Sequence, residues 1–291
     1  MSVQITTSFV QQYSSNVQML VQQKGSKLRG LVRQESVTGK SAFFDQIGVT
    51  YARQRSTRHS DTPRMDTPHA RRRVTVADYD WADLIDREDK VRMLIDPTSE
   101  YAMAAAWAMG RSMDEVIIDA ALGTAYTGET GATTQALTHS IAQGGTGLTL
   151  AKLLEAKEIL DGNNVADEGR YIALTAGQVT DLLNTTEVKD ADYNTVRALA
   201  AGQVNTFLGF TFVPVNGLRE DGTKILPLDG SSDRRCIAWQ KDCLLLGMGA
   251  EPQSRISERA DKNYATQVFY SMTLGATRMQ EAGVVEIKCD E

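Results

Sequence analysis

Cysteine and histidine are scarce in this 291-residue chain, which excludes the sites they would build. Cys236, Cys243 and Cys289 show no C-x-x-C spacing, and His59, His69 and His139 are expected in polar loops. Zinc sites need Cys and His pairs at short spacing, so no metal is expected. An odd number of cysteines predicts free thiols in a reducing cytoplasm. No apolar run reaches the ~18–20 residues of a membrane-spanning helix, so no membrane contact is expected. The start, MSVQITTSFVQQYSS, lacks the charged and apolar regions of a secretory leader.

Catalytic motifs are missing too. Gly144-Gly145-Thr146-Gly147 has the glycines of a phosphate loop without its Lys-Ser/Thr ending. Asp190, Asp192 and Asn194 open like an EF-hand loop, but Thr195 stands at its glycine position and Ala201 at its glutamate position. There is no G-x-S-x-G elbow. Asn184-Thr185-Thr186 is a glycosylation sequon, without a role outside secretion. Acids such as Asp86, Glu88 and Asp89 read as solvated or ion-paired surface. The expectation is a non-enzyme without catalytic, cofactor or metal residues.

What is present begins with charge asymmetry. Residues 1–73 hold 12 Lys and Arg against 4 Asp and Glu, a net of +8, whereas the whole chain carries −6. A basic front on an acidic body can bind nucleic acid, bind the acidic body of another copy, or simply be solvated. Phe9, Val10, Tyr13, Val17, Leu20 and Val21 share one face of a predicted helix ended by Gly25. A helix of this length is marginal alone and must dock on something. Two strands follow, one around Phe43, Phe44, Ile47, Val49 and Tyr51, the other at Val74–Asp80. Between them lies a stretch nearly free of aliphatic residues that carries Arg53, Arg55, Arg58, Arg64, Arg71, Arg72 and Arg73. A connection of ~20 residues without a core is commonly functional or disordered, and the pattern predicts a long two-stranded loop lying on another surface.

Residues 96–122 predict a spine helix. Asp96 is the N-cap, Pro97 the first helical residue, and Glu100 sits in the first turn. Ala102, Ala105, Met109, Met113, Val116, Ile117 and Ala120 form its apolar stripe. Residues 123–147 read as loop, and an α/β pattern follows. It comprises a helix over 149–161 with Leu150, Leu153, Leu154 and Leu160 inward, a strand at 170–174, and a capping box of Thr175 with Gln178 opening a helix over 176–183. Strands are predicted at 207–215, 236–239 and 244–246, with a turn at Asp221-Gly222. In the tail Val268, Tyr270, Met272 and Leu274 alternate, and Val284, Val285 and Ile287 make a last strand. These tail strands are expected to pair with each other and with segments before the spine.

The order of parts resembles the tailed-bacteriophage major capsid proteins of the Hong Kong 97-type fold, an α+β architecture. The likeness is carried by FVQQYSSNVQMLVQQKGSKLRG, by the stretch from HSDTPRMDTPHARRR to MDEVIIDAALG, by GLTLAKLLEAKEILD and GRYIALTAGQVTDLL, by NTFLGFTFVPVNGL, and by the ending YSMTLGATRMQEAGVVEIKCDE. The resemblance implies an N-arm at 1–35, an E-loop at 36–80, a P-domain at 81–144 with its spine helix at 97–122, an A-domain at 145–250 and P-domain return strands at 251–291. It implies hexamers and pentamers of an icosahedral head around double-stranded DNA bound without sequence specificity. Portal, scaffolding and decoration proteins would be further partners, and assembly would occur in the host cytoplasm. The arm face of Phe9, Tyr13, Val17 and Leu20 would be buried between copies, and the seven loop arginines would meet carboxylates such as Asp83, Asp86 and Glu88. Lys40 is the only lysine between Ser36 and Asp80, with no matched acceptor, so a non-covalent shell is expected. An encapsulin-type compartment with the same fold, a nucleic-acid-binding protein using Arg53–Arg73, and an α/β enzyme are the alternatives. Only Tyr51 lies near the arginines to stack on bases, which weakens the second.

Overall fold

The computed structural model describes residues 22–55, 57–59, 61–62, 64–86, 98–184 and 206–291. Phe9, Tyr13, Val17, Leu20, Glu88, Asp89, Asp96, Pro97, Thr185, Thr186 and the EF-like segment 190–201 lie outside them. In chain order the elements begin β1 (Arg33–Ser36), β2 (Ser41–Ile47), β3 (His69–Thr75), β4 (Ala77–Ile85), α1 (Thr98–Leu122), β5 (Ala125–Thr127), β6 (Thr133–Gln135) and β7 (His139–Ile141). They continue as α2 (Leu150–Gly162), β8 (Arg170–Leu174), α3 (Ala176–Asn184), β9 (Thr206–Phe207), β10 (Phe210–Pro214), β11 (Arg234–Gln240), β12 (Leu244–Arg259), β13 (Ala265–Arg278) and β14 (Val284–Cys289).

Three sheets organise them, in the orders β1-β12-β13-β4, β7-β14-β11-β8-β10-β9 and β2-β3-β5-β6. The six-stranded sheet is covered on both faces, which is why its strands read as nearly continuous apolar runs. Ala173, Ile237, Trp239 and Val284 face the spine residues Met109, Met113, Ile117 and Ile118. The alternate residues Ile172, Leu174, Cys236, Ala238, Val285 and Ile287 face Leu153, Ala156 and Leu160 of α2. A small third cluster of Val74, Leu245 and Met279, with Phe44 against it, sits at the root of the β2–β3 ribbon.

The 25 residues of α1 match the predicted spine, about 37 Å at ~1.5 Å per residue. Its burial is uneven: most of its buried positions lie from Met109 onward, whereas before it Ala105 is buried and Met103 is exposed. Half of the capping box is present: the Thr175 N–H donates to Gln178 Oε1 at 3.1 Å, and the Thr175 hydroxyl donates to the same oxygen.

Several expectations are corrected. The strand expected at 74–80 is two strands, because the chain breaks at Val76: β3 pairs with β2, and β4 pairs with β13. The run 207–215 is a hairpin, turned by Leu208 (φ 53°) and Gly209 (φ 86°). The presumed loop after the spine holds β5, β6 and β7, strands of three residues each, too short for a period to show. Leu154 of α2 points outward, and Leu153 alone of that pair is buried. His69 and His139 lie on strands rather than in loops. The last strand, β14, pairs with β11 and β7 instead of joining β13: Val285, Ile287 and Cys289 bury one face in the cluster under α2, while Glu286 on the other face pairs with Arg235 of β11.

Candidate assembly interface

Three consecutive arginines end the long loop, and the strand period separates them. Arg71, Arg72 and Arg73 lie on β3, not in the connection, so alternate side chains face opposite ways. Arg72 turns inward and is 9% exposed. Its Nε donates to the Met279 carbonyl at 3.0 Å, and its guanidinium stands 3.4 Å from Glu281. Burial lowers its pKa, as does the nearby Arg278 cation, while Glu281 opposes the shift. Arg71 and Arg73 turn outward. Arg71 donates to Asp45 at 2.6 Å and lies over the Phe43 ring at 5.4 Å; Arg73 lies over Tyr126 at 4.8 Å. The hydrogen bond from Arg71 holds the Asp45 carboxyl below the usual carboxylate range. Arg71 and Arg72 therefore have carboxylates of their own chain.

The loop tip is different. Arg53, Arg55, Arg58 and Arg64 are exposed, Arg55 donates to the Thr57 carbonyl at 3.1 Å, and Arg64 meets Asp66 at 3.3 Å. Exposed pairs of this kind contribute ~0–1 kcal/mol. Beside these cations Ile47, Val49 and Tyr51 are 73%, 75% and 74% exposed. Apolar residues on a projecting ribbon need a covering surface.

The candidate acidic partners lie on another edge of the molecule. Asp83 is half-buried on β4 and accepts the Leu84 N–H at 2.8 Å, and Asp86 is exposed just past the strand end. With Asp78 and Asp80 they give the 74–86 segment four acids and no Lys or Arg. Strand β4 pairs only with β13 among the described strands, so its outer edge is open. A groove of about 600 Å³ runs between β4 and α1, lined by Tyr79, Asp80, Trp81, Glu115, Asp119 and Arg219. Within one chain the tip arginines and these acids are not brought together among the recorded ion pairs of the described residues.

Half of the basic arm is held by its own chain. Gln23 Nε2 and Ser26 Oγ donate to the Asp114 carboxylate at 2.6 Å each, and the Lys27 and Leu28 N–H groups at 3.0 Å. Asp114 is 0% exposed on the buried face of α1. Gly110, one turn earlier, lets the arm pass: a Cβ there would lie 2.4 Å from the Gly25 carbonyl carbon. Leu28 and Val32 then enter the main core, and β1 pairs parallel to β12.

Sequence reasoning missed these anchors. Asp114 had a signal: it is spaced at helical intervals from Gly110, Ile117, Ile118 and Ala121, so its acid falls on the apolar face. Arg278 had a weaker one, a charge ending the alternation of β13. Fully buried, it donates to the carbonyls of Ala121 at 2.7 Å, Gly123 at 2.6 Å and Gln135 at 3.0 Å, closing the C-terminal end of the spine. Lys152 had none. Its Nζ donates to four carbonyls, of Gln143, Thr146, Gly147 and Lys288, at 2.7–2.9 Å. The glycine loop thus turns carbonyls inward on a cation, the opposite polarity to a phosphate cradle.

Known structures share this fold. The capsid structure of Cyanophage P-SCSP1u is 18% identical, with a TM-score of 0.73 over 100% of this chain and 96% of its own. That of Mycobacterium phage Che8 is 16% identical, with a TM-score of 0.71 over 96% of this chain and 97% of its own. The head structure of Helicobacter pylori bacteriophage KHP40 is 10% identical, with a TM-score of 0.74 over 99% and 98%. No curated protein sequence matches the chain. The fold is the Hong Kong 97-type capsid fold. The family model described as phage capsid protein matches residues 5–291, and the chain belongs to that family of virion structural proteins.

Proposed function

We propose that this chain is the major subunit of a phage head, closing into hexamers and pentamers of an icosahedral shell around double-stranded DNA. The observation that carries the reading is the projecting ribbon, with Ile47, Val49 and Tyr51 about three-quarters exposed beside Arg53, Arg55, Arg58 and Arg64. These groups have nothing to cover them among the described residues of their own chain. A neighbouring copy offers the acidic edge of Asp83 and Asp86, with Glu88 beyond it, and the contact is heterologous, so it closes rings.

On this reading residues 1–35 are the N-arm, with Phe9, Tyr13, Val17 and Leu20 buried between copies, and 36–80 are the E-loop. The P-domain combines 81–144 with the return strands of 251–291, and the A-domain is 145–250. The shell is non-covalent, assembles in the host cytoplasm, and takes portal, scaffolding and decoration proteins as partners. Each exposed ion pair adds ~0–1 kcal/mol, so strength comes from repetition and from buried apolar area.

Negative-stain microscopy and sedimentation of the purified chain, at low and high salt, test the reading. Rings or closed shells that carry DNA in infected cells are the expected result. A chain that stays monomeric at high concentration in every buffer overturns it. Shells enclosing a protein cargo instead would favour the encapsulin-type alternative.

A further inference from the structure

The β2–β3 ribbon joins the body through a short pairing of β3 with β5 and through a cluster of buried charges, in which a single carboxylate serves both sides of the joint. On the ribbon side, Gln46 Nε2 and Arg72 Nε both donate to the Met279 carbonyl, at 2.7 and 3.0 Å. The apolar contact beneath them is small, Val74, Leu245 and Met279 with Phe44. On the body side Arg278 closes the end of the spine helix and donates through Nε to Glu281 Oε2 at 2.5 Å. The other oxygen of that carboxylate, Oε1, is buried without a hydrogen bond and faces the Arg72 guanidinium at 3.4 Å. Glu281, Arg278 and Arg72 have side chains 13%, 0% and 11% exposed, so the three charges interact with little screening.

One negative charge between two buried cations leaves a net positive charge. The carbonyls at the C-terminal end of α1 supply the remaining negative potential to Arg278. Oε1 is then the one carboxylate oxygen that faces Arg72, and the direction from Glu281 to Arg72 acts together with the β3–β5 pairing on where β3 leaves the body.

We propose that Glu281 is the positioning residue of the assembly loop, setting the angle of the β2–β3 ribbon to the spine helix. The angle matters because the tip residues Arg53, Arg55, Arg58 and Arg64 lie well beyond the joint at Gln46 and Arg72, where a small rotation at the root becomes a large displacement. The consequence for shells rests on the capsid reading above, whereas the consequence for the free subunit does not.

The test compares Arg72→Met, Arg72→Lys, Glu281→Gln and the control Arg71→Ala in the full chain. Arg71 sits on the same strand but pairs outward with Asp45. In the unassembled subunit, amide hydrogen exchange in β2 and β3 is expected to rise roughly tenfold in Arg72→Met and Glu281→Gln, with α1 unchanged and Arg71→Ala like the parent. Arg72→Lys, which keeps a cation facing Glu281, restores most of the protection. In shells the Met and Gln variants give a broadened diameter distribution by microscopy. If Glu281→Gln does not fold, Arg72→Met carries the test, since it leaves the Arg278–Glu281 contact in place. Parent-like exchange in Arg72→Met, or equal behaviour of the Lys and Met variants, overturns the proposal. Failure of the parent chain to form shells overturns the capsid reading and leaves the exchange result standing.

Discussion

Strands β2 and β11 have seven residues each and carry an isoleucine apiece, with opposite fates. Ile237 of β11 is 1% exposed and Ile47 of β2 is 73% exposed. Strand β11 lies between two partners and two covered faces, so nearly every side chain is buried. Strand β2 has one partner, β3, and alternates between exposed and half-buried positions. The same residue type stabilises the subunit in one region and is left for another surface in the other. Core and interface are distinguished by neighbours, not by composition.

The comparison is broken or sharpened most strongly by truncating one side chain from each region. Trp239→Ala removes a ring that is 2% exposed and an Nε1 that donates to the Leu31 carbonyl at 3.1 Å. A loss of ~3–5 kcal/mol is expected in urea unfolding of the subunit. Ile47→Ala is expected to change that stability by under ~0.5 kcal/mol while sharply lowering the yield of assembled particles. Similar losses of subunit stability in the two variants would abolish the distinction.

A smaller effect, ~2–4 kcal/mol, is expected from Asp114→Ala, which strands the arm donors over the spine. Limited proteolysis should then cut within residues 22–36 well before the sheet core. Parent-like resistance there would mean that packing of Leu28 and Val32, rather than the carboxylate, retains the arm.

The smallest effect is on acid response. Arg71 holds the Asp45 carboxyl low, and Arg259 holds that of Asp261, at the tip of the β12–β13 ribbon, at about 2. A depressed folded-state pKa stabilises above the unfolded carboxylate value, near ~4, and the contribution fades as pH falls through the folded value. Both groups lie on projecting elements, so hydrogen exchange at pH 7, 4 and 2.5 should show these ribbons loosening before β8 and β11. Simultaneous opening of ribbons and core would contradict this. The Cys243 thiol adds nothing in that range, since burial pushes it up to about 12.

Much of the fold was legible because period reports burial. The spine, the Thr175–Gln178 cap and strand β8 follow from patterns longer than four residues or from a specific pair of side chains. What escaped has physical reasons. Strands β5 to β7 are shorter than the period that would reveal them, and the break at Val76 looks in sequence like continued alternation. The placement of β14 is decided by distant partners. The interface was half legible: a basic loop with apolar residues stood out, but the inward turn of Arg72 depends on Met279 and Glu281, some two hundred residues away.

One detail of the sheet bears on how the loop could be altered. Gly247 and Gly275 face each other in register on β12 and β13, and a Cβ at Gly275 would come within 2.1 Å of the Thr75 carbonyl oxygen. The corner between β3 and β4 sits in the notch these two residues leave, so backbone packing at the root, beside the Arg72–Glu281 contact, secures the crossing. Changes between 52 and 66 are thereby expected to alter the contact with a neighbouring copy while leaving the mount in place. The molecule separates a fixed socket from the fitting it holds.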